Sequence, residues 1–422
     1  MKRSVIIIII LAACVFIATS EHLMAGEEEG VMLEALIDEA LSNNLRMQAA
    51  HDSWRAMEYE IMQASSLSDP ELEFSYFGEN VETKVGPQER KYSLSQMIPF
   101  PGKLGLKGKI AEKGTRILEE KYETTKREVI KKVKEMYYDI WWVDKAIEVT
   151  ESEKDIVSSL ERVANQKFET DQAPQQDAIK AQVLISNLLN KLIQLRQQRN
   201  SMILKMNTLL NRPTDTSLGK LREIEIMDFN HALSNLQGFS QENRQELKIG
   251  VLGIQKKELQ VALAKKAYLP NFMLGFSYIQ VGDGYTAMSE DGKDAWMGMV
   301  SVNIPIWFKK LRAQLRQNQL DLEAGRKSYR DTQNSVLSEV NDVYFKLNTD
   351  KEQISLYETL LIPQTEHAFQ AAKSAYENGK VDFLNLLDSE RALLNTRLLY
   401  YRTIADYHKS IAAMERMVGR DL

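Results

Sequence analysis

The sequence predicts a mainly α-helical protein with a small β part, built as a duplicated helix–β-hairpin–helix unit. Three observations carry this: an internal repeat, long heptad seams, and four short segments of strict alternation. The second half replays the first about 206 residues later. Gln96-Met97-Ile98-Pro99-Phe100 returns as Asn303-Ile304-Pro305-Ile306, and Phe74-Ser75-Tyr76 returns as Phe276-Ser277-Tyr278. Tyr138 matches Tyr344, Phe168-Glu169 matches Tyr376-Glu377, and Leu210-Asn211-Arg212 matches Val418-Gly419-Arg420. Two copies are too few for a solenoid array, so one structural unit is duplicated. The expected division is a first repeat over 31–212, a connecting segment over 213–238 and a second repeat over 239–420.

The chain opens as an export signal. Met1-Lys2-Arg3 is a basic start, Val5–Leu11 is apolar, and Ala18 and Ser20 form a small-residue cleavage site, which predicts a signal peptide over 1–20. The apolar stretch falls short of the roughly 20 residues of a spanning helix. Leu11-Ala12-Ala13-Cys14 offers an alternative, a lipoprotein signal ending before Cys14, which would then be lipidated. Cys14 is the only cysteine, so no disulfide or thiolate metal site is available. The net charge of −5 opposes nucleic-acid binding, which needs a positive footprint.

The helices come next. Ile185, Leu188, Leu192, Leu195, Arg199, Met202, Met206 and Leu209 alternate spacings of three and four, a heptad seam with one charged member. Val336, Val340, Val343, Leu347, Asp350, Ile354, Tyr357 and Leu361 form a second seam, and Leu384, Leu387, Arg391, Leu394, Leu398, Tyr401 and Ala405 a third. Leu104–Phe168 contains no proline, and a helix of that length reaches about 100 Å. Pro363 should kink or break the helix that contains it.

Strands are expected at about 71–78, 90–98, 272–281 and 296–304, each with period two. They pair as two hairpins with long loops, Glu79–Glu89 and Gly282–Ala295. Their length fits a transmembrane β-strand, and Phe77, Phe100, Tyr285, Trp296, Trp307 and Phe308 crowd the ends as an interfacial girdle would. Four strands cannot close a barrel, and an open edge in lipid leaves backbone groups unpaired. Three chains sharing one barrel would supply twelve strands.

Gln96-Met97-Ile98-Pro99-Phe100-Pro101-Gly102-Lys103-Leu104 resembles the strand-to-helix junction of TolC-like outer-membrane efflux proteins, of the type that serves heavy-metal RND pumps. The resemblance covers about Val31 to Gly419. It implies a homotrimer in which a twelve-stranded transmembrane β-barrel is continued by a periplasmic α-helical barrel. It also implies outer-membrane lipid, a periplasmic adaptor and an inner-membrane pump as partners. Tyr376-Glu377-Asn378-Gly379-Lys380-Val381 resembles the family's periplasmic tip, with Glu169-Thr170-Asp171-Gln172 as its counterpart in the first copy. By resemblance, Glu169, Thr170, Asp171, Gln172, Asn378, Gly379, Lys380 and Val381 dock the adaptor. Tyr376, Asn385 and Asp388 belong to the periplasmic gate, although Asn385 stands where the family carries an acid. Gly379 is expected to take the left-handed conformation, with Gln172 or a neighbour as its counterpart.

No catalytic constellation stands out, and no cofactor or metal site is expected. His22, His51, His231, His367 and His408 show no metal-ligand spacing. Gly102–Lys109 lacks the spacing of a phosphate loop. Met297 and Met299 share a strand face, as packing residues or soft ligands. The function expected is an outer-membrane exit duct passing metal cations or small toxic molecules. Two alternatives stay open: the outer-membrane component of type I protein secretion, and a periplasmic coiled-coil adaptor or structural interaction protein.

Overall fold

The computed structural model describes residues 30–284 and 292–422. The expected signal peptide, Cys14 and Tyr285 lie outside them. The chain divides into two compact units. One comprises residues up to Asn44, Val129–Asn230 and Phe345–Ala412; the other comprises Leu45–Glu128, His231–Tyr344 and Ala413–Leu422.

The elements in chain order are α1 (Leu33–Asn43), α2 (Leu45–Ser65), β1 (Glu71–Thr83), β2 (Gly86–Ile98), α3 (Lys103–Glu169) and α4 (Gln175–Leu210). The second copy supplies α5 (Leu233–Asn243), α6 (Gln245–Lys266), β3 (Phe272–Val281), β4 (Ala295–Val302) and α7 (Phe308–Leu356), then α8 (Ile362–Glu377) and α9 (Phe383–Val418). None of the described helices is long and apolar enough to cross a membrane.

The first unit is held by seams of the kind the sequence shows. Leu188, Leu192 and Leu195 are buried on α4, and the charged member Arg199 is met by Asp144 on α3. Asp350, the charged member of the second seam, accepts a hydrogen bond from Ser410 Oγ at 3.0 Å. Leu384 departs from the third seam: it is exposed, whereas Phe383, Leu386 and Leu387 are buried. Three adjacent core residues at the start of α9 shift the buried stripe away from Leu384.

Pro363 does not end its helix. A single π-turn over Tyr357–Leu361 precedes it, and Ile362 N–H donates to Tyr357 O, five residues back. Proline lacks an N–H and its ring crowds the carbonyl of the preceding turn. Widening that turn makes room, and α8 continues with Pro363 in its first turn.

The second unit carries a four-stranded antiparallel sheet in the order β1-β2-β3-β4, so β1 and β4 each have one neighbour among the described residues. The first hairpin departs from the expected long loop over 79–89. β1 runs on to Thr83 and β2 begins at Gly86, leaving Lys84-Val85 as a tight turn. Gly86 takes φ +124°, and Thr83 Oγ1 donates to Gly86 O at 2.6 Å. A register shift between Tyr76 and Val81 absorbs the Gly- and Glu-containing stretch that reads as loop in the sequence. β4 stops at Val302, two residues earlier than expected: Asn303 N–H still donates to Asn271 O at 3.1 Å, but Asn271 N–H goes to Asn303 Oδ1 in place of its backbone carbonyl.

Register separates two faces. Leu72, Phe74 and Tyr76 on β1 share a face with Leu94 and Tyr92, Leu274, Phe276 and Tyr278, and Val300 and Trp296. All of these are exposed in the chain. The opposite face carries Glu71, Glu73 and Ser75, then Ser95, Ser93 and Lys91, then Ser277 and Ser301. Met97, Met273, Met297 and Met299 also lie on that polar face, with Met97 directly opposite Met273.

Candidate functional site: two helix turns and the carboxyl pair beside them

Two turns join the long helices of the first unit, α3 to α4 and α8 to α9. Each ends its helix by the same backbone device, a left-handed residue followed by a hydrogen bond reaching back five residues. At α3–α4 the left-handed residue is Asp171, with φ +58°, and Gln172 N–H donates to Lys167 O at 2.7 Å. At α8–α9 it is Gly379, with φ +67°, and Lys380 N–H donates to Ala375 O at 2.8 Å. The first-copy equivalent of Gly379 is therefore Asp171, one residue before Gln172. Aspartate is among the few non-glycine residues that tolerate this conformation.

The turns are tied together. Lys167 Nζ donates to Glu377 O at 2.9 Å and lies 5.4 Å from the centre of the Tyr376 ring. The Tyr376 hydroxyl donates to Asp177 Oδ2 at 3.3 Å, and its ring packs on Phe383 with centroids 5.1 Å apart. Burial, with Asp177 adding to it, pushes the Tyr376 phenol well above the usual tyrosine range. Asp382 caps α9 by accepting Asn385 N–H at 2.9 Å.

Of the docking residues read from sequence, Glu169, Thr170, Asp171, Gln172, Asn378, Gly379 and Lys380 are exposed, and Val381 is half-buried against the core. The expected gate residues divide. Asn385 and Asp388 are exposed three residues apart, so they lie on one helix face. Asp388 keeps 63% of its side chain exposed and lies 3.8 Å from Arg391. Tyr376 is buried, so it braces the turns from within.

Sequence reading missed one feature. Glu390 on α9 and Glu153 on α3 meet in the core, 0% and 1% exposed. Neither forms an ion pair among the described residues. Burial, with Glu153 beside it, drives the Glu390 carboxyl far above the ordinary range, so it is held protonated. The signal was present: Glu390 lies between Leu386-Leu387 and Leu393-Leu394, inside the buried stripe. Higher on the same helix His408 is 3% exposed and stacks on Tyr138 at 4.9 Å, and burial lowers its imidazole to about 4.

The arrangement offers exposed turn residues, a packed interior and charge, and no group of His, Cys, Asp or Glu among the described residues could hold a metal ion. A family model described as outer membrane efflux protein matches residues 36–212 and 239–420. The cobalt-zinc-cadmium resistance protein CzcC of Cupriavidus metallidurans is 18% identical over 388 residues, covering 92% of this chain and 90% of that protein. The solvent efflux pump outer membrane protein SrpC of Pseudomonas putida is 22% identical over 382 residues, covering 86% and 80%. Among solved structures, CusC superposes with a TM-score of 0.79 at 15% identity, covering 94% of this chain and 96% of that one. The outer-membrane channel OprN superposes at 0.77 and 16% identity, covering 92% and 89%.

Proposed function

The chain belongs to the outer membrane efflux protein family, and we propose that three copies close their sheets into one twelve-stranded barrel. That barrel is the exit duct of a tripartite system. The observation that carries this reading is the sheet: one face is apolar and exposed, and both outer strands lack a second neighbour among the described residues. In lipid each unpaired backbone group costs several kcal/mol, so an edge must meet another edge. The serine- and glutamate-bearing face then lines the lumen.

The duct is passive and performs no catalysis. Cargo is handed over by an inner-membrane pump of RND type through a periplasmic adaptor. The relatives named for cobalt, zinc and cadmium resistance and for solvent efflux support a cargo of metal cations or small toxic molecules. The adaptor docks on the exposed turn residues 169–172 and 378–381, while Asn385 and Asp388 face the gate. Extraction from outer membranes as a detergent-stable trimer that conducts in planar bilayers is the expected result. A soluble monomer in periplasmic extracts overturns the reading. Asp388→Asn should lower cation over anion preference in those bilayers; unchanged selectivity removes Asp388 from the gate.

A further inference from the structure

The strand-to-helix end of the sheet carries charges that no carboxylate among the described residues answers with an ion pair. Four junctions gather there by register: Glu71 lies opposite Ser95, Ile98 opposite Phe272, and Phe272 opposite Val302. They are laced together at Asn271, whose Oδ1 accepts from Phe100 N–H at 3.3 Å and from Lys103 Nζ at 2.8 Å. Lys266 Nζ donates to Pro101 O at 3.2 Å.

The first turns of α3 bring Lys103, Lys107, Lys109 and Lys113 to this end. The last turn of α6 adds Lys265 and Lys266. The first turns of α7 add Lys309, Lys310, Arg312 and Arg316. Across the four junctions, residues 58–72, 99–113, 265–272 and 303–316, these ten cations face five carboxylates, Glu58, Glu60, Asp69, Glu71 and Glu112, of which Glu58 is engaged with Arg55. Glu112 is already engaged with Arg116 at 3.2 Å. None of the ten cations forms an ion pair among the described residues. Burial, with Lys107 and Lys266 close by, lowers the Lys103 ammonium, the mark of like charges crowded without a counterion.

Between this band and the apolar sheet face stand Ile304, Ile306, Trp307 and Phe308, 75%, 57%, 74% and 56% exposed. An exposed apolar surface, then large aromatics, then unanswered cations is the sequence of layers met on crossing from acyl chains to headgroups. We propose that this basic band is a binding surface for anionic phospholipid headgroups in the leaflet that borders the periplasm, recognising their phosphodiester charge. The proposal rests on the barrel reading, because only a membrane-spanning sheet brings the band to the height of the headgroups.

The test uses full-length protein extracted from membranes and native mass spectrometry of the lipids it retains. Phosphatidylglycerol and phosphatidylethanolamine are supplied in equal amounts. The wild type should retain about fivefold more phosphatidylglycerol, and the preference should fall away as salt rises to about 0.5 M. A variant carrying Lys107→Gln, Lys109→Gln, Lys309→Gln and Lys310→Gln should lose the preference. Arginine at the same four positions should keep it, as should a distant control with Lys205→Gln, Lys220→Gln and Lys346→Gln.

A glutamine variant with undiminished preference overturns the proposal. So does full competition by millimolar inorganic phosphate, which would mark a free-anion site. Loss of the trimer in the glutamine variant would assign the cations to contacts between copies, and also overturns it. Conductance in bilayers made with and without phosphatidylglycerol separates the two readings. A conducting wild type with no lipid preference removes the headgroup surface alone; a wild type that inserts into neither bilayer removes the barrel and this surface with it.

Discussion

The two copies of the repeat end their helices in the same backbone geometry with different chemistry. In the first copy the left-handed residues are Asp171 and Asn211, at φ +58° and +56°; in the second they are Gly379 and Gly419, at φ +67° and +74°. The next residue shows the same divergence. Arg212 forms a two-pronged ion pair with Glu39, while Arg420 lies 4.6 Å over the ring of Phe239. The residues that separate each pair of early helices differ too. Asn44 donates through Nδ2 to Leu209 O at 2.8 Å, whereas Arg244 is 7% exposed and bonds Glu246 and Glu339. Backbone geometry is what duplication preserved, and the side chains diverged around it. An exposed turn accepts any residue that tolerates φ above zero. A crowded one accepts only glycine.

The largest effect is expected where both constraints meet. A Cβ at Gly419 would lie 2.6 Å from Asn243 O, and its φ disfavours any L side chain. Gly419→Ala should cost about 3 kcal/mol, seen as a lower thermal midpoint or lost yield of folded protein. Wild-type stability in that variant would break the distinction between crowded and open turns.

The carboxyl pair comes next, because it joins one residue from each copy. The positions about 206–208 residues away hold Gln182 and Thr359, both exposed, so the pair has no symmetric twin. Glu390's raised value means the folded state holds a proton that the unfolded state releases. Stability should therefore fall as pH rises above the ordinary carboxylate range. Glu390→Gln should flatten that decline and gain about 2 kcal/mol at mildly alkaline pH. An unchanged pH profile of unfolding would show that the buried pair finds another partner.

His408 acts with the opposite sign. Its folded value near 4 lies below the unfolded 6.5, so its contribution is complete above about 6.5 and is lost as pH falls toward 4. His408→Phe should flatten the acid limb between those values by about 1 kcal/mol or more, measured by denaturant unfolding across pH.

The smallest effects are at the open turns. A Cβ at Gly379 would meet nothing within 4 Å, so Gly379→Ala should cost only the backbone preference, about 1 kcal/mol. Asp171→Gly should be neutral or gain about 0.5 kcal/mol. A loss beyond about 2 kcal/mol at Gly379 would reveal a neighbour that this chain alone does not contain.

Period-two and heptad patterns made the sheet and the long helices readable from sequence, because each depends on which face is apolar. Features that depend on a single residue's surroundings were not readable. Glycine and glutamate at 78–82 read as loop, since nothing local shows that a register shift will keep the strands paired. Pro363 reads as a kink or a break, and sequence does not choose between them, because the π-turn that accommodates it is set by packing. Sequence places the counterpart of Gly379 at Gln172 or a neighbour without singling out Asp171, since aspartate only tolerates φ above zero and does not announce it. The turn residues themselves were found by resemblance, and the chain folds most of them onto exposed turns. Resemblance places Tyr376 at the gate, and only the structure shows that its side chain is buried with Phe383 and Asp177.

The turn at Gly379 also bears on how the protein ages. Asn378-Gly379 is the dipeptide in which a flexible chain most readily cyclises, losing ammonia and leaving aspartate or its isomer with an extra backbone carbon. That reaction needs the glycine nitrogen to swing onto the asparagine side chain. Here the Gly379 N–H is spent on Tyr376 O at 3.0 Å and the Asn378 amide on Ser374 O at 2.8 Å. The helix end that shapes the exposed turn thus keeps its most perishable bond from reacting, and loosening the turn would start a chemical clock there.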